Sequence, residues 1–215
     1  MSQSHQVAQG ECLASIADKY SLSEGSIWDD PANASLKAKR KTGYILFPGD
    51  VVVIPDKPPP KTVQVATGKL HSFRTKKRAG TVFHLVMKDG LGEPRAALRY
   101  TLIVGGKKLA GATDANGELK QSIPPAATVG NLIFGEGDDQ DEIEVHFGHL
   151  DPITEVSGVK QRLLNLGFDP GAVDDQSLSD EAEAAIEVFQ RHCGLTATGK
   201  IDAATRKKLE ERYGS

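Results

Sequence analysis

The chain has 215 residues, 39% apolar and 26% charged, the proportions of an ordinary globular protein. With 26 Lys and Arg against 29 Asp and Glu, its formal charge of −3 removes the main electrostatic warrant for nucleic-acid binding. No run approaches the roughly 18 consecutive apolar residues of a membrane span, and Met1-Ser2-Gln3-Ser4-His5-Gln6 has neither the basic nor the apolar region of a Sec-type signal, so synthesis in the cytoplasm without that signal is expected.

Gln6-Val7-Ala8 reads as a short strand that Gly10 breaks. Leu13, Ile16, Ala17 and Tyr20 then recur at helical spacing, the buried stripe of a short amphipathic helix. Ser23 is placed to cap a second helix carrying Ile27 and Trp28, which Pro31 ends or bends. Trp28 suits either a sugar platform or the core, and its helical spacing favours the core. Lys37, Lys39, Arg40 and Lys41 mark a polar, basic loop, after which Phe47-Pro48-Gly49-Asp50 is turn chemistry leading into a strand over 51–54. The order is strand, helix, helix, strand. Asp56-Lys57-Pro58-Pro59-Pro60-Lys61 follows as an extended polyproline spacer, which makes 57–61 a linker.

The run from Val7 to Ala17, then Tyr20, Asn33, Leu36 and Phe47-Pro48-Gly49-Asp50-Val51-Val52-Val53-Ile54-Pro55, resembles the LysM domain over about residues 5–56, which makes 1–56 the first module. The resemblance implies a βααβ fold that binds N-acetylglucosamine polymers such as peptidoglycan and chitin. It implies ligand contacts at Gly10, Glu11, Leu13, Pro31 and Asn33, although Leu13 also falls on the core stripe. The family's usual Gly-Asp-Thr is here Gly10-Glu11-Cys12, which removes a hydroxyl able to cap the first helix. The stretch from Ile27 to Arg40 resembles the LysM variety found with type VI secretion and other contractile injection systems.

Residues 62–150 have a period of two. Val82 to Met87, Tyr100 to Val104, Lys107 to Ala110, Glu118 to Ile123, Val129 to Phe134 and Ile143 to Phe147 are strand candidates. Gly105-Gly106 signals a two-residue hairpin and Asp114-Ala115-Asn116-Gly117 a second turn. Short strands at regular spacing predict an antiparallel sandwich or small barrel. Leu109 to Leu119, with Ile123-Pro124, resembles the turn of transthyretin-like or carboxypeptidase-regulatory-like β-sandwiches, which implies a spacer or docking role. Lys69, Arg74, Lys76, Lys77 and Arg78 form a basic stretch, and Glu136, Asp138, Asp139, Asp141, Glu142 and Glu144 an acidic one. Each reads as a solvated loop or as a surface that docks a partner. The acidic run lacks the glycine and terminal glutamate of an EF-hand loop, and His146 and His149 would fall on opposite faces of a strand, so no metal is expected.

In residues 151–215, Val159, Leu163 and Leu166 share a helical face that Gly167 stops. Asp180 and Glu183 make a capping-box-like start for a helix carrying Ala182, Ile186, Phe189 and Cys193, and Asp202 caps a third helix carrying Leu209. Gly158 to Phe168, Ala185, Val188-Phe189-Gln190, Gly194-Leu195, Thr198-Gly199-Lys200-Ile201-Asp202, Thr205 and Leu209 resemble the three-helix peptidoglycan-binding domain of cell-wall hydrolases. The stretch from Asp174 to Asp180 departs from that family's Asp-Gly turn. Gln190 and Arg191 are candidate exposed ligand contacts on this domain, with ordinary surface roles as the alternative.

No nucleophile elbow, zinc-protease motif or phosphate-binding loop is present. His192 and Cys193 are adjacent on a helix and so diverge, and Cys12 has no evident base; both thiols read as small buried hydrophobes. The fold class expected is multidomain α+β. The function expected is a non-catalytic peptidoglycan-binding protein without cofactor, brought outside the cytoplasm by a contractile secretion machine and possessing two wall-binding ends whose joint engagement raises avidity. The departures at Glu11, Cys12 and Asp175 favour an alternative, a cytoplasmic adaptor or baseplate-like component that uses the same folds to bind a spike or effector protein. A hydrolase hidden in 62–150 is a third, disfavoured reading.

Overall fold

Local propensity sets most of the elements. The computed structural model describes residues 3–59, 62–72, 81–89, 91–135, 137 and 140–213. Arg74, Lys76, Lys77 and Arg78 of the basic stretch, Glu136, Asp138 and Asp139 of the acidic one, and Pro60 and Lys61 of the spacer lie outside the described residues. No helix among the described residues is long and apolar enough to cross a membrane.

The N-terminal part runs β1 (Gln3–Gln6), α1 (Leu13–Tyr20), α2 (Glu24–Trp28), a 3-10 turn (Pro31–Asn33), α3 (Ala34–Arg40) and β2 (Val51–Ile54), with β1 paired to β2. Ser23 caps α2, its Oγ accepting the Ser26 N–H at 3.1 Å. Trp28 is half-buried. Helix α3 stands where the sequence suggested a basic loop. Its residues Ala34-Ser35-Leu36-Lys37-Ala38-Lys39-Arg40 are mostly strong helix formers, and its cations crowd the last turn, where the helix dipole favours them. Only Leu36 and Arg40 of α3 are buried, so no apolar stripe announces it.

The central strands are β3 (Thr81–Val86), β4 (Arg99–Val104), β5 (Lys107–Ala112), β6 (Glu118–Ile123), β7 (Val129–Phe134) and β8 (Asp141–His146). They form an antiparallel pair, β3-β6, and an antiparallel four-stranded sheet in the order β5-β4-β7-β8. The β4–β5 hairpin closes on Gly105-Gly106 with φ of 55° and 73°, the left-handed pair that a tight two-residue turn demands. Strands β4 and β7 lie inside the sheet and alternate buried with half-buried residues. Tyr100, Leu102, Val104, Leu132 and Phe134 from the four-stranded sheet meet Leu119 and Ile123 of β6 and Phe147 in one apolar core.

The C-terminal part is α4 (Val156–Asn165), α5 (Asp180–His192) and α6 (Ala203–Tyr213) around Val159, Leu163, Ile186, Phe189 and Leu209. The cap of α5 lies one residue before the expected Asp180. Ser179 Oγ accepts the Ala182 N–H at 3.3 Å, which leaves Asp180, Glu181 and Glu183 in the first turn, where a helix dipole stabilises them. Asp202 caps α6 as expected, its Oδ1 accepting the Thr205 N–H at 2.7 Å.

By internal contact the chain divides into two compact units, each drawn from three stretches. One holds 1–5, 14–34 and 52–147, and therefore both sheets of the central strands; the other holds 6–13, 35–51 and 148–215, and therefore the three C-terminal helices.

Candidate functional site

The helix-bearing unit buries an unusual amount of polar chemistry, and its candidate site grows from that framework. Arg40, at the end of α3, is the first hub. Its Nε and Nη2 donate to the two carboxylate oxygens of Asp50 at 2.7 and 3.0 Å. Its Nη1 donates to Glu155 Oε1 at 2.7 Å and to Thr154 Oγ1 at 3.3 Å. The Arg40 side chain is 1% exposed and that of Asp50 5%, so this fork is dry as well as bidentate. Burial alone would push the Asp50 carboxyl up. The hydrogen bond from Arg40, the Phe47 N–H and the charges of Arg40 and Lys39 overcome it and hold the group below the usual carboxylate range. The fork thus ties the 35–51 stretch to the approach to α4.

Arg162, on α4, is the second hub. It is 1% exposed, and its Nη1 donates to the carbonyls of Asp151 and Gly158, both at 2.7 Å. Its guanidinium lies over the Tyr213 ring, 5.6 Å from the centroid. Its Nε is buried and makes no hydrogen bond. Burial lowers its pKa to about 10, against the opposing charges of Tyr213, Glu210 and Asp151. Between the two arginines opens a cavity of about 180 Å³. Lys39, Arg40, Lys41, Thr42 and Ile45 form one wall; Pro152, Ile153, Thr154, Arg162 and Glu210 form the other.

Gln190, on α5, is the third hub, and it corrects an expectation. Sequence offered it as an exposed ligand contact, but it is wholly buried. Its Oε1 accepts from the backbone N–H of Thr198 and Gly199 at 2.7 and 3.0 Å. Its Nε2 shares two hydrogens among Thr198 Oγ1, the Lys200 carbonyl and Thr205 Oγ1, at 2.9–3.1 Å. The side chain therefore fixes the 198–200 turn and the start of α6. Arg191, the next residue, is 60% exposed and pairs loosely with Glu187 at 3.5 Å.

The loop from Asp174 to Asp180 carries a substitute for the turn it lacks. Asp175 Oδ1 accepts from Lys160 Nζ at 2.6 Å and from Ser177 N and Oγ at 2.9 and 2.7 Å. Those hydrogen bonds, Lys160 first, lower the Asp175 pKa to about 2. Gln176 Oε1 accepts the Val156 N–H at 2.9 Å, doing for α4 what the Glu155 side chain does not.

The remaining residues that sequence proposed as ligand contacts fall in both units. Gly10, Glu11 and Leu13 belong to the helix-bearing unit, Pro31 and Asn33 to the other. Gly10 and Leu13 are buried. Glu11 is half-buried and its Oε2 accepts the Ala8 N–H at 3.0 Å. A Cβ built on Gly148 would meet the Gly10 carbonyl oxygen at 2.5 Å, so residue 148 crosses the Gly10 turn at backbone contact. Gln9 Nε2 donates to the His149 carbonyl beside it at 3.4 Å. Asn33 is 1% exposed and spans Ile27 and Val53: Nδ2 donates to both carbonyls at 2.8 and 2.7 Å, and Oδ1 accepts the Val53 N–H at 2.8 Å. Of the five, only Pro31, at the first position of its 3-10 turn, is exposed.

The sheet-bearing unit holds a cavity of about 320 Å³ beside Tyr20, Leu22, Ile54 and Pro55, with Gln3, Lys19 and Lys57 at its polar side. The Tyr20 hydroxyl and His5 Nδ1 are hydrogen-bonded at 3.1 Å. Cys12 is buried, and Cys193 packs against the core of the three helices. Among the described residues no group of three or more His, Cys, Asp or Glu could hold a metal ion.

Comparison with known families gives one match. Residues 153–209 fit the model of a family described as a peptidoglycan binding domain. The match starts three residues before α4 and ends on the buried Leu209 inside α6, so it takes in α4, α5, the first part of α6, the Asp175 loop and the Gln190 hub. No curated protein and no solved structure matches the chain.

Proposed function

We propose that this chain is a non-catalytic protein that binds peptidoglycan through its C-terminal helices and is associated with a contractile injection system of the type VI kind. The observation that carries the wall-binding part is the peptidoglycan-binding family match over 153–209. The N-terminal resemblance to LysM supports a second glycan-binding element, and two weak sites on one chain would raise avidity if both engage. Delivery by the injection machine is the proposed route to the periplasm.

The test is co-sedimentation of the full chain with purified sacculi at low and at physiological salt. The full chain is required, because the helix-bearing unit takes residues from 6–13 and 35–51 as well as from 148–215. Binding that survives physiological salt supports the reading. A folded protein that stays in the supernatant at both salts sinks it. A parallel assay for release of soluble wall fragments tests the absence of catalysis.

A second reading has its own observation. The residues that the LysM resemblance assigns to sugar are largely spent inside the protein: Gly10 and Leu13 are buried, Glu11 caps a local turn, and Gly148 closes on the Gly10 carbonyl. That favours a LysM-like part recruited to hold protein, as in an adaptor or spike-associated component. Chitin oligomers separate the two readings of this part: saturable binding by the full chain supports the glycan role, and none supports the adaptor.

A further inference from the structure

We propose, building on the wall-binding reading above, that the cavity between Arg40 and Arg162 is a subsite for the free carboxylate end of a peptide stem.

Size argues for an end group. At about 180 Å³ the cavity is smaller than the roughly 300 Å³ at which pockets for whole ligands begin. It accommodates one small amino-acid residue but no disaccharide.

Charge argues for an anion. Arg40 is neutralised by Asp50 and Glu155, and Lys39 lies 3.6 Å from the same Asp50. Lys41 has no ion pair among the described residues, and Arg162 is held by carbonyls and a ring, not by a carboxylate. Against these two cations the walls set only Glu210, while the Asp151 carboxylate behind Arg162 is engaged by Ser157 Oγ at 2.6 Å and Gln161 Nε2 at 3.4 Å. Ser157 and Gln161 are neutral, so the Asp151 charge still acts on Arg162, and the cation left to meet an anion is Lys41, exposed and without an ion pair among the described residues.

Hydrogen bonding points the same way. Arg162 lines the cavity, and its buried Nε has no hydrogen-bond partner, a donor left over for an acceptor that reaches it. A carboxylate oxygen would make a charge-assisted bond there; a neutral sugar hydroxyl would satisfy the donor but not the charge. Lys41 sits at φ 60°, in the left-handed region that a residue with a side chain occupies only at a cost, and such strain gathers at binding sites. Ile45, Pro152 and Ile153 supply the apolar remainder, which suits a methyl side chain next to the carboxylate.

The experiment titrates the full chain with N-acetyl-D-alanyl-D-alanine, a probe with methyl side chains and a free carboxylate, and with its C-terminal amide. The methyl resonances of Ile45 and Ile153 are the readout. The acid is expected to shift both and to saturate, with the amide weaker by about tenfold, the worth of one hydrogen bond to a charged group. Lys41→Glu, a change at an exposed residue, should weaken the acid similarly; Arg162→Lys adds a second variant if it folds. An acid that leaves both methyls unmoved, or that binds no better than its amide, overturns the subsite. The same preparation is sedimented with sacculi. Sacculus binding without an acid response removes the subsite and keeps the wall reading. An acid response without sacculus binding removes the wall reading and keeps a carboxylate subsite.

Discussion

In the sheets, Leu102, Leu119 and Leu132 are wholly buried, and among the described residues of 81–147 only Thr113 is a buried polar side chain. In the C-terminal helices Ser157, Lys160, Arg162, Gln190 and Thr205 are all buried beside the apolar stripe. The sheets are held by removing apolar area from water, a non-directional effect that tolerates exchange of one hydrophobe for another of like volume. The helices use directional bonds to named partners, so loss of one group strands several others. The first arrangement suits a scaffold. The second fixes loop positions to a fraction of an ångström, which a recognition surface needs.

The comparison breaks first at Arg40. Arg40→Met should cost about 3–5 kcal/mol, because it leaves the buried Asp50 carboxylate without its bidentate partner and frees Glu155 as well. Urea denaturation measures it; a loss under 1 kcal/mol would mean that water already solvates the fork. Gln190→Leu comes next. It matches the stripe in volume, yet the Gly199 and Thr198 N–H groups lose their acceptor and the Lys200 carbonyl loses one of its donors, for about 2–3 kcal/mol. If this swap were neutral, the helices would be as apolar in their energetics as the sheets.

Much of this was legible in the residues, and the misses have a common form. The period of two located all six central strands to within two residues, and Gly105-Gly106 set a hairpin whose register pairs Val104 with Lys107. The stripe of Val159, Leu163, Ile186, Phe189 and Leu209 is the core of the three helices. What escaped were polar residues at core positions. Arg40 stands four after Leu36, Arg162 three after Val159 and Gln190 four after Ile186, each on the face that periodicity marks as buried. Binary reading scores such residues as surface; their position on the stripe is the signal that they are buried and satisfied. Helix α3 escaped for a related reason, since its second inward residue is an arginine. The cavity beside Arg162 was beyond sequence, because its walls come from stretches about a hundred residues apart that no local pattern pairs.

A smaller effect sharpens the comparison from the side of the sheets. Thr113 Oγ1 accepts the Leu98 N–H at 2.9 Å and donates to the Arg95 carbonyl at 2.5 Å. Thr113→Val keeps shape and removes both bonds, so about 1–2 kcal/mol is expected by thermal or urea unfolding. A cost equal to that of Gln190→Leu would erase the distinction between the two regions.

The smallest effect is the most diagnostic, because it depends on pH. Asp175 is solvent-facing, so its bonds to Lys160 and Ser177 are largely screened. Its folded pKa of about 2 lies below the ordinary 3.8, which gives the sign. The ionised form is preferred by the folded state, so the contribution is complete above the unfolded value and disappears as pH falls through the folded one. Asp175→Asn should therefore lower Tm slightly at neutral pH. The gap between variant and parent should begin to close below about pH 4 and be largely gone near pH 2. A gap that stays constant across that range would assign the loop's order to Gln176, which accepts the Val156 N–H and donates from Nε2 to Ser157 Oγ at 2.7 Å and keeps both bonds at any of these pH values. The 174–180 loop would then be held by neutral hydrogen bonds, like the Gln190 hub, and the buried Lys160 would be tethered to Asp175 with no net gain in stability.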